Sequence, residues 1–419
     1  MKIVVLVVIL ACALGVKAQT VILDGEIRPR AEYRDGYVKP LLETNDPGVF
    51  AIQRTRLKLV YTTGVLNMLI TFQDSRTFGQ TASSSDVATT GVFEAWADML
   101  VIPGGSLKVG RQVLKYDDNR LFSGATWSNT GTSHDVALFK YGVNDFQAHL
   151  GVAYNNNTLI SSEAFYTPGS KYRYMGFLWL TKDLYKGLNL SAIAVDEGVQ
   201  NAVLAADYGK KIGMNHAYTY GGNLKYQDEA CPVSALATAY FQAGKNSTGS
   251  EMSGKMAAFK VDCTISKVFL ANLGADFFSG DAVSTDMKQT NFKKLYGSDH
   301  TFNGTMDYWN TPLSEGLLDY FGGMMVNVLK SLSFETAFHV FNTDKKLKSG
   351  TDLGSELDIL LNYKMNAQTA LQAGWGSYFT TDNTMLAKGI AAGTKTKTPQ
   401  WAYIMLTIKP IFFTSVVAK

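Results

Sequence analysis

Short segments in which polar and apolar residues alternate run through most of the chain, and this alternation restricts its fold more than any other feature. In the first segment, charged side chains take every second position: Asp24, Glu26, Arg28, Arg30, Glu32 and Arg34. The pattern returns at residues 53–61, 66–73, 93–99, 146–155, 332–341 and 356–364. Successive side chains of a strand point to opposite faces, whereas helical spacing would scatter these sets. The chain is therefore predicted to be all-β, with one polar and one apolar face on each strand.

Two folds can use such strands: a soluble β-sandwich and a closed barrel in a membrane. The chain has 419 residues, 46% of them hydrophobic, with no linker that would separate several stacked sandwiches. After the N-terminus, no stretch reaches the roughly 18 to 20 uninterrupted apolar residues of a membrane helix. A closed antiparallel transmembrane β-barrel fits better, and about 22 residues per strand and connection predicts roughly 16 to 18 strands.

The first residues have the organisation of an export signal. Lys2 precedes the apolar run at 3–11, and small residues follow up to Ala18. This pattern predicts a signal peptide at residues 1–18 and a single barrel domain at residues 19–419. A rival interpretation is a lipoprotein signal with Cys12 acylated. Both interpretations export the chain, which is expected to reach the cell outer membrane.

Several function classes find little support in the sequence. The net charge of +3 gives no concentrated basic face for nucleic acid. The histidines lack metal-ligand spacing, and no phosphate-binding glycine loop follows a strand. Ser133, His134 and Asp135 are the residue types of a hydrolase triad, but neighbours in a strand face opposite ways. We therefore expect no catalytic residue, metal or cofactor. Cys231 and Cys263 could form a disulfide or stay as thiols.

The polar faces of the first two predicted strands carry a set of cations: Arg28, Arg30, Arg34, Arg54, Arg56 and Lys58. If these faces line a water-filled lumen, the cations form a basic ladder that attracts anions. An alternative is that they only pair with carboxylates on neighbouring strands and stiffen the wall. Glu94 and Asp98 alternate in the same way on a later strand and are also predicted to line the lumen.

Five stretches of the sequence resemble the alginate export family of outer-membrane barrels: residues 72–76, 110–122, 127–135, 295–308 and 401–413. The resemblance implies a monomeric barrel of about 18 strands whose lumen is lined by arginines and carboxylates. By position, it implies that the following residues belong to that lining: Arg28, Arg30, Arg54, Arg56, Arg76, Arg111 and Arg120. Two departures are Thr132, where such proteins often have an arginine, and the six residues that follow Phe413.

The predicted function is a porin-like channel in contact with outer-membrane lipid. It would pass small anionic solutes, or oligo- and polysaccharides, by passive diffusion. One alternative is a surface-binding or structural barrel with a plugged lumen, and another is a membrane-embedded hydrolase. The sequence does not decide which loops fold inward.

Overall fold

A computed structural model of the chain describes residues 19–80, 90–156, 172–200, 213–281, 287–298 and 300–416. The predicted signal peptide at 1–18 lies outside these residues. Among the described residues, no helix is long and apolar enough to cross a membrane. The one described helix, α1 (Asp382–Ala387), lies in a connection between strands and begins with a capping box at Thr381 and Thr384.

The described residues form a closed, antiparallel barrel of 18 wall strands, the last of which is divided into two segments, so the sheet has nineteen segments. The wall consists of β1 (Thr20–Asp35), β2 (Gly48–Thr62), β3 (Leu66–Thr77), β4 (Gly91–Ile102), β5 (Gly105–Gln112), β6 (His134–Val143), β7 (Phe146–Tyr154), β8 (Tyr174–Tyr185), β9 (Leu188–Gln200), β10 (Met214–Tyr226), β11 (Val233–Gly244), β13 (Lys255–Thr264), β14 (Phe269–Phe278), β16 (Leu317–Leu329), β17 (Leu332–Leu347), β18 (Gly350–Lys364), β19 (Thr369–Phe379), β20 (Gln400–Ile408) and β21 (Ile411–Val416). The short strands β12 (Glu251–Met252) and β15 (Lys288–Gln289) pair outside the wall sheet.

The barrel closes where the first and last strands meet. β1 pairs with β2 on one side and with β20 and β21 on the other. β20 and β21 form one wall strand that is interrupted at Lys409 and Pro410, where the Gly25 N–H donates to the Pro410 carbonyl at 3.0 Å. Within the described residues, closure leaves the wall sheet from β1 to β20 without an unpaired edge, which is the condition for a β-sheet to lie in lipid.

The two ends of the barrel differ in the lengths of their connections. At one end the turns are short, such as Pro103–Gly104 between β4 and β5 and Lys186–Gly187 between β8 and β9. Both glycines have a left-handed backbone, with φ of +75° and +76°, as tight hairpin turns require. At the other end most connections are long, including 36–47, 113–133, 279–316 and 380–399. By this asymmetry the short turns face the periplasm and the long loops face the outside.

The predicted alternation is observed along the wall. Large apolar side chains are exposed on its outer face, among them Leu57, Met68, Phe72, Leu150, Leu178, Phe241, Leu273 and Ile404. The prediction was wrong at Phe93, which was expected to share the outer face of Ala95 and Ala97. The β3–β4 register shifts between Thr71 and Phe72, and this irregularity leaves Phe93 buried inside.

Two long connections fold into the barrel instead of extending from its rim. We call residues 113–133, between β5 and β6, inner loop 1, and the described residues between β14 and β16 (279–281, 287–298 and 300–316) inner loop 2. Leu114 and Phe122 of inner loop 1, and Met306 and Trp309 of inner loop 2, belong to the same buried apolar cluster. The interior is therefore partly filled by its own loops, around which the polar site is built.

Candidate solute-binding chamber in the lumen

The lumen-facing cations of β1 and β2 form a basic wall, which comprises Arg28, Arg30, Arg34, Arg54, Arg56 and Lys58. Arg28 donates to the backbone carbonyls of Thr126 at 2.5 Å and of Trp127 and Ser128 at 3.0 Å each. Arg54 donates to the Thr126 carbonyl at 3.2 Å and the Ser128 carbonyl at 3.1 Å, and its Nε donates to Glu26 at 2.7 Å. The basic wall therefore holds the tip of inner loop 1.

Arg30 and Arg34 share the carboxylate of Glu32. The Arg30 Nε lies 2.8 Å from Glu32 Oε1, and an Arg34 Nη2 lies 2.8 Å from Oε2. Arg30 also donates to the Trp127 carbonyl at 3.0 Å and stacks its guanidinium 3.9 Å from the Trp127 ring centroid. These contacts fix the indole of Trp127 against the wall through cation–π and hydrogen-bond interactions.

Part of the Arg56 guanidinium has no partner among the described residues. Its Nε donates to Gln73 at 2.8 Å, and its plane lies 3.9 Å from the ring centroid of Phe93. Its Nη2 atom is buried and has no hydrogen-bond partner, and the same is true of Arg28 Nε. Buried donors are nearly always satisfied, so each of these two atoms marks a position where an acceptor other than the described residues, such as a water molecule, is expected.

The structure brings some of the other predicted lining residues to the lumen. Lys58 pairs with Asp24 at 3.2 Å and is partly exposed. Glu94 accepts the backbone N–H of Val113, at the start of inner loop 1, at 3.1 Å. Asp98 pairs with Lys140.

Arg76 and Arg111 are not brought to the lumen. Residues 71, 73 and 75 pair with the lumen-facing positions of β2, so Arg76 lies on the outer face, where it pairs with Asp74 at 2.6 Å. Arg111 lies opposite Ala95 on the outer face and pairs with Asp135 at 3.1 Å. Successive residues of a strand point to opposite faces of the sheet. A difference of one position along the strand therefore places Arg76 and Arg111 outside the barrel instead of inside.

Arg120 lies inside, but inner loop 1 carries it to the far side of the barrel. Its two Nη atoms donate to the Asp276 carboxylate of β14 at 2.8 and 2.7 Å, and its Nε donates to Asp118 at 2.8 Å. Its plane stacks 3.9 Å from the Phe302 ring centroid of inner loop 2. Burial raises the pKa of Asp118, a tendency that Arg120 opposes. Arg120 thus connects inner loop 1 to a second, acidic wall.

This acidic wall comprises Asp276, Asp319, Glu356 and Asp358. Glu356 accepts the backbone N–H of Met306 at 2.7 Å, and Asp358 accepts the hydroxyl and the N–H of Thr305. Asp319 pairs with His339 at 2.9 Å. The acidic wall therefore holds inner loop 2 through donors of that loop.

A chamber of about 480 Å³ lies between the two walls. Arg28, Arg54, Arg56 and Lys409 line it, together with the carboxylates Glu26 and Asp358. Its remaining lining includes Trp127, His300, Thr301, Thr305, Trp401 and Tyr403. The Trp127 and His300 rings stack 4.0 Å apart, so one aromatic group from each inner loop meets at the chamber. A second cavity of about 210 Å³ shares His300, Thr301, Thr305, Asp358 and Leu360 with it.

Sequence reasoning identified the cations and considered carboxylate partners on neighbouring strands, but it did not identify the loop carbonyls that bind Arg28 and Arg54. The carbonyls of Thr126, Trp127 and Ser128 carry no residue-type signal, because every backbone has them. Glu356 and Asp358 stood on a predicted polar face, yet only the closed barrel places them across from the basic wall. The triad-like residues do not meet: His134 bonds to Tyr172 inside at 2.9 Å, while Asp135 pairs with Arg111 outside. Within the described ranges, no group of three or more potential metal ligands converges.

The closed wall, its apolar outer face and its charged interior define an outer-membrane β-barrel. Three crystal structures from Pseudomonas aeruginosa have this fold. OccK3 (OpdO) aligns with a TM-score of 0.65 at 11% identity, covering 94% of this chain and 96% of that one. OccK5 (OpdH) gives 0.61 at 11%, covering 94% and 98%, and OpdK with vanillate gives 0.57 at 12%, covering 94% and 99%.

The sequence itself matches the family described as "Alginate export" over residues 20–154. This match confirms the resemblance to that family and includes the whole basic wall. No curated protein matches the chain significantly.

Proposed function

We propose that the protein is a passive diffusion channel for small anionic solutes, including acidic sugars. The observation that carries this proposal is the charge of the chamber. Among the described residues, its lining has four cations, Arg28, Arg54, Arg56 and Lys409, against two carboxylates, Glu26 and Asp358. A narrow space with an excess of one charge concentrates the opposite ion. The anion preference therefore follows from residues that contact the solute path.

The guanidinium groups of Arg28 and Arg56, which line the chamber, are the groups to which a carboxylate would bind. Arg56 Nη2 and Arg28 Nε have no partner, and the other donors of Arg28 are held only by neutral carbonyls. A carboxylate forms stronger, charge-assisted bonds with a guanidinium than a carbonyl does, so it can compete for these donors. OpdK, which shares the fold at 12% identity, was crystallised with vanillate, an aromatic carboxylate. Trp127 and His300 would supply an apolar surface for such a ring.

Lys58 lies beyond Arg56 toward the short-turn end, and Arg30 and Arg34 lie toward the long-loop end. We include these residues in the solute path, together with Glu94 and Asp98 of β4. A series of weak binding sites lets a solute enter and leave, because no single site has a deep free-energy minimum. The protein acts as a monomer after removal of residues 1–18 in this proposal.

A second candidate function is a surface-binding or structural barrel with a closed lumen. The observation that favours it is the filling of the interior by inner loops 1 and 2, whose Phe122, Met306 and Trp309 are fully buried. In this case the arginines would only anchor the plug. The two functions differ in whether ions pass through the purified protein.

Planar-bilayer recording tests both candidates. We expect ion conductance and a reversal potential in a potassium chloride gradient that shows anion preference. Arg56→Gln should lower the chloride-to-potassium permeability ratio by roughly twofold, since one charge near an aqueous path changes an ion's energy by up to about 1 kcal/mol. The Arg54→Ala, Arg56→Ala double variant should lower it further.

The matched control is Arg111→Gln, which removes the same charge from the outer face. This variant should leave the reversal potential unchanged. An equal effect of Arg56→Gln and Arg111→Gln would contradict a role for the chamber. Silent bilayers from folded protein would support the closed barrel instead.

A further inference from the structure

The last wall strand has one edge without a partner at the short-turn end of the barrel. β19 pairs with β20 only as far as Thr369, which lies opposite Ile408. The wall strand continues beyond this point as β21, which pairs with β1 and with no other strand of the described residues. The second edge of β21 is therefore open, on the periplasmic side of the turn at 365–368 that joins β18 to β19.

This overhang is longer than those beside other short turns of the barrel. β8 ends at Tyr185, three residues past Lys182, which is its last residue paired with β7. β16 ends at Leu329, three residues past Val326, which is its last residue paired with β14. The last wall strand instead continues through 409–416 after its pairing with β19 has ended. The open edge therefore extends along the whole of β21.

The pairing with β1 shows which backbone groups of β21 face the open edge. The Gly25 N–H donates to the Pro410 carbonyl at 3.0 Å, and the Val21 N–H donates to Ser415 Oγ at 3.2 Å. Backbone groups of successive strand residues point to opposite sides, and Gly25 and Val21 both point toward the last strand. Ser415 lies opposite Val21, so its backbone groups face β1. Those of Thr414 consequently face the open edge.

The open edge lies at the depth of side chains that face lipid. Phe412 and Phe413 are 59% and 53% exposed. Phe413 stands opposite Leu23 of β1, and Leu23 stands opposite Leu59 of β2, which is also exposed on the outer face. Lipid chains cannot form hydrogen bonds with backbone groups, so an unpaired strand edge at this depth is unfavourable. An added strand satisfies those groups.

The chemistry of the edge indicates an extended and uncharged occupant. Residues 411–416 have no ionisable side chain and are mostly aromatic or β-branched. A second copy in the same membrane does not fit. Antiparallel pairing of two copies of β21 needs a twofold axis across the strands, which would invert one copy in the membrane. Rotation about an axis along the strands would place N–H opposite N–H. The occupant is therefore a different polypeptide.

We propose that the open edge of β21 is a docking site for a periplasmic protein, which adds an extended, uncharged segment to the wall beside Thr414. In such strand addition, main-chain hydrogen bonds supply the affinity and alternate side chains supply the selectivity. Side chains of the segment that lie next to Phe413 face lipid and should be apolar. The site lies outside the lumen, so this proposal does not depend on the channel function.

Hydrogen exchange tests whether the edge is open in the purified, folded protein in detergent micelles. The N–H groups of Phe413 and Ser415 face β1, because these residues lie opposite Leu23 and Val21. They should exchange at least about tenfold more slowly than the N–H of Thr414, measured at single residues by NMR. Equal protection of the three N–H groups would overturn the proposal, because the chain would then cover the edge itself.

A dansylated hexapeptide of alternating threonine and valine is the probe for docking, and fluorescence anisotropy measures its binding. The same peptide with every valine N-methylated lacks half of its N–H donors and should bind about tenfold more weakly to the wild type. Thr414→Pro removes one N–H from the open edge, leaves the pairing with β1 in place, and should weaken binding of the unmodified peptide. Thr414→Val, the matched control, keeps this N–H and should bind as the wild type does.

Equal binding of the two peptides, or equal binding by Thr414→Pro and Thr414→Val, would overturn the proposal. A wild-type dimer that Thr414→Pro disperses would also overturn it and would assign the edge to a second copy. Resistance to unfolding in unheated sodium dodecyl sulfate confirms that each variant is folded. If Thr414→Pro does not fold, the exchange experiment and the two peptides still decide the matter on the wild type. Ion conductance should be unchanged in both variants, so failure of this site is distinguishable from failure of the channel function.

Discussion

The basic and acidic walls of the lumen hold their charges in different ways. On the basic wall, four cations pair with carboxylates, but Arg28 is held by three neutral carbonyls, and Arg56 keeps one nitrogen without a partner among the described residues. On the acidic wall, Asp276 faces Arg120 and Asp319 faces His339, so most of the charge is matched by a neighbouring cation or covered by inner loop 2. The difference shows why cations dominate the chamber although both walls are heavily charged.

The largest expected effect comes from breaking the ion pair that links inner loop 1 to the acidic wall. Asp276→Asn would leave the buried Arg120 with one carboxylate, Asp118, in place of two. Losing one partner of a buried pair costs about 3–5 kcal/mol. The midpoint of urea unfolding of the protein in lipid vesicles should fall accordingly.

Asp135→Asn is the control for this variant, because Asp135 pairs with Arg111 on the exposed outer face. Exposed pairs contribute about 0–1 kcal/mol, so its unfolding midpoint should hardly move. Similar midpoints for the two variants would show that the Arg120 pair is not an anchor of the fold.

The next effect separates the two anchors of inner loop 1. Arg28→Met removes the donors to the Thr126, Trp127 and Ser128 carbonyls but leaves Arg120 in place. Arg30 and Arg54 still donate to the same carbonyls, so the tip of the loop should be loosened by about 1.5–3 kcal/mol, the contribution of one hydrogen bond to a charged group, while its base stays docked. Hydrogen exchange should rise at residues 124–131 and stay unchanged at 304–307. Increased exchange in both inner loops would contradict separate anchoring.

A smaller effect is expected from the matching change on the acidic wall. Glu356→Leu removes the acceptor of the Met306 N–H, while Asp358 still holds Thr305. An unsatisfied buried N–H costs about 1–3 kcal/mol. Exchange should therefore rise at 304–307 alone, the reverse of the Arg28→Met result. No change in hydrogen exchange at 304–307 would mean that Thr305 and the aromatic contacts are enough to hold this segment in place.

The two walls also show which features of the molecule can be predicted from its sequence. Alternation with period two identified the strands, the outer and inner faces, and the cations of β1 and β2, because these depend only on neighbours along the chain. It failed at Phe93, where a register shift is set by the partner strand. Arg76 and Arg111 were expected from family position to line the lumen, but their strand parity places them outside.

The inward course of the two loops could not be predicted from the sequence, for a different reason. A long polar connection is compatible with a surface loop or with a plug, and the choice depends on what the opposite wall offers. Arg120 reaches Asp276 across 156 positions of sequence, a contact that no local pattern encodes. The chamber exists only once both loops are docked, so its position follows from tertiary structure alone.

The smallest effect concerns a lysine that connects the long-loop end to inner loop 2. Lys388 follows α1, its Nζ donates to the Tyr308 carbonyl, and it lies 4.3 Å from the Trp309 ring centroid. Burial, aided by the charge of Lys39, lowers the pKa of Lys388 from 10.5 to about 8. The unfolded chain therefore binds more protons between these two pH values. Stability should rise with pH across that window, by at most about 1.4 kcal/mol per pH unit.

Urea unfolding at intervals between pH 7.5 and 10.5 measures this slope. Lys388→Met should remove the Lys388 part of the rise, whereas Lys397→Met, which loses an exposed contact to the Asn45 carbonyl, should keep it. An identical pH slope in the wild type and Lys388→Met would mean that the lysine is as well solvated in the folded barrel as in the unfolded chain.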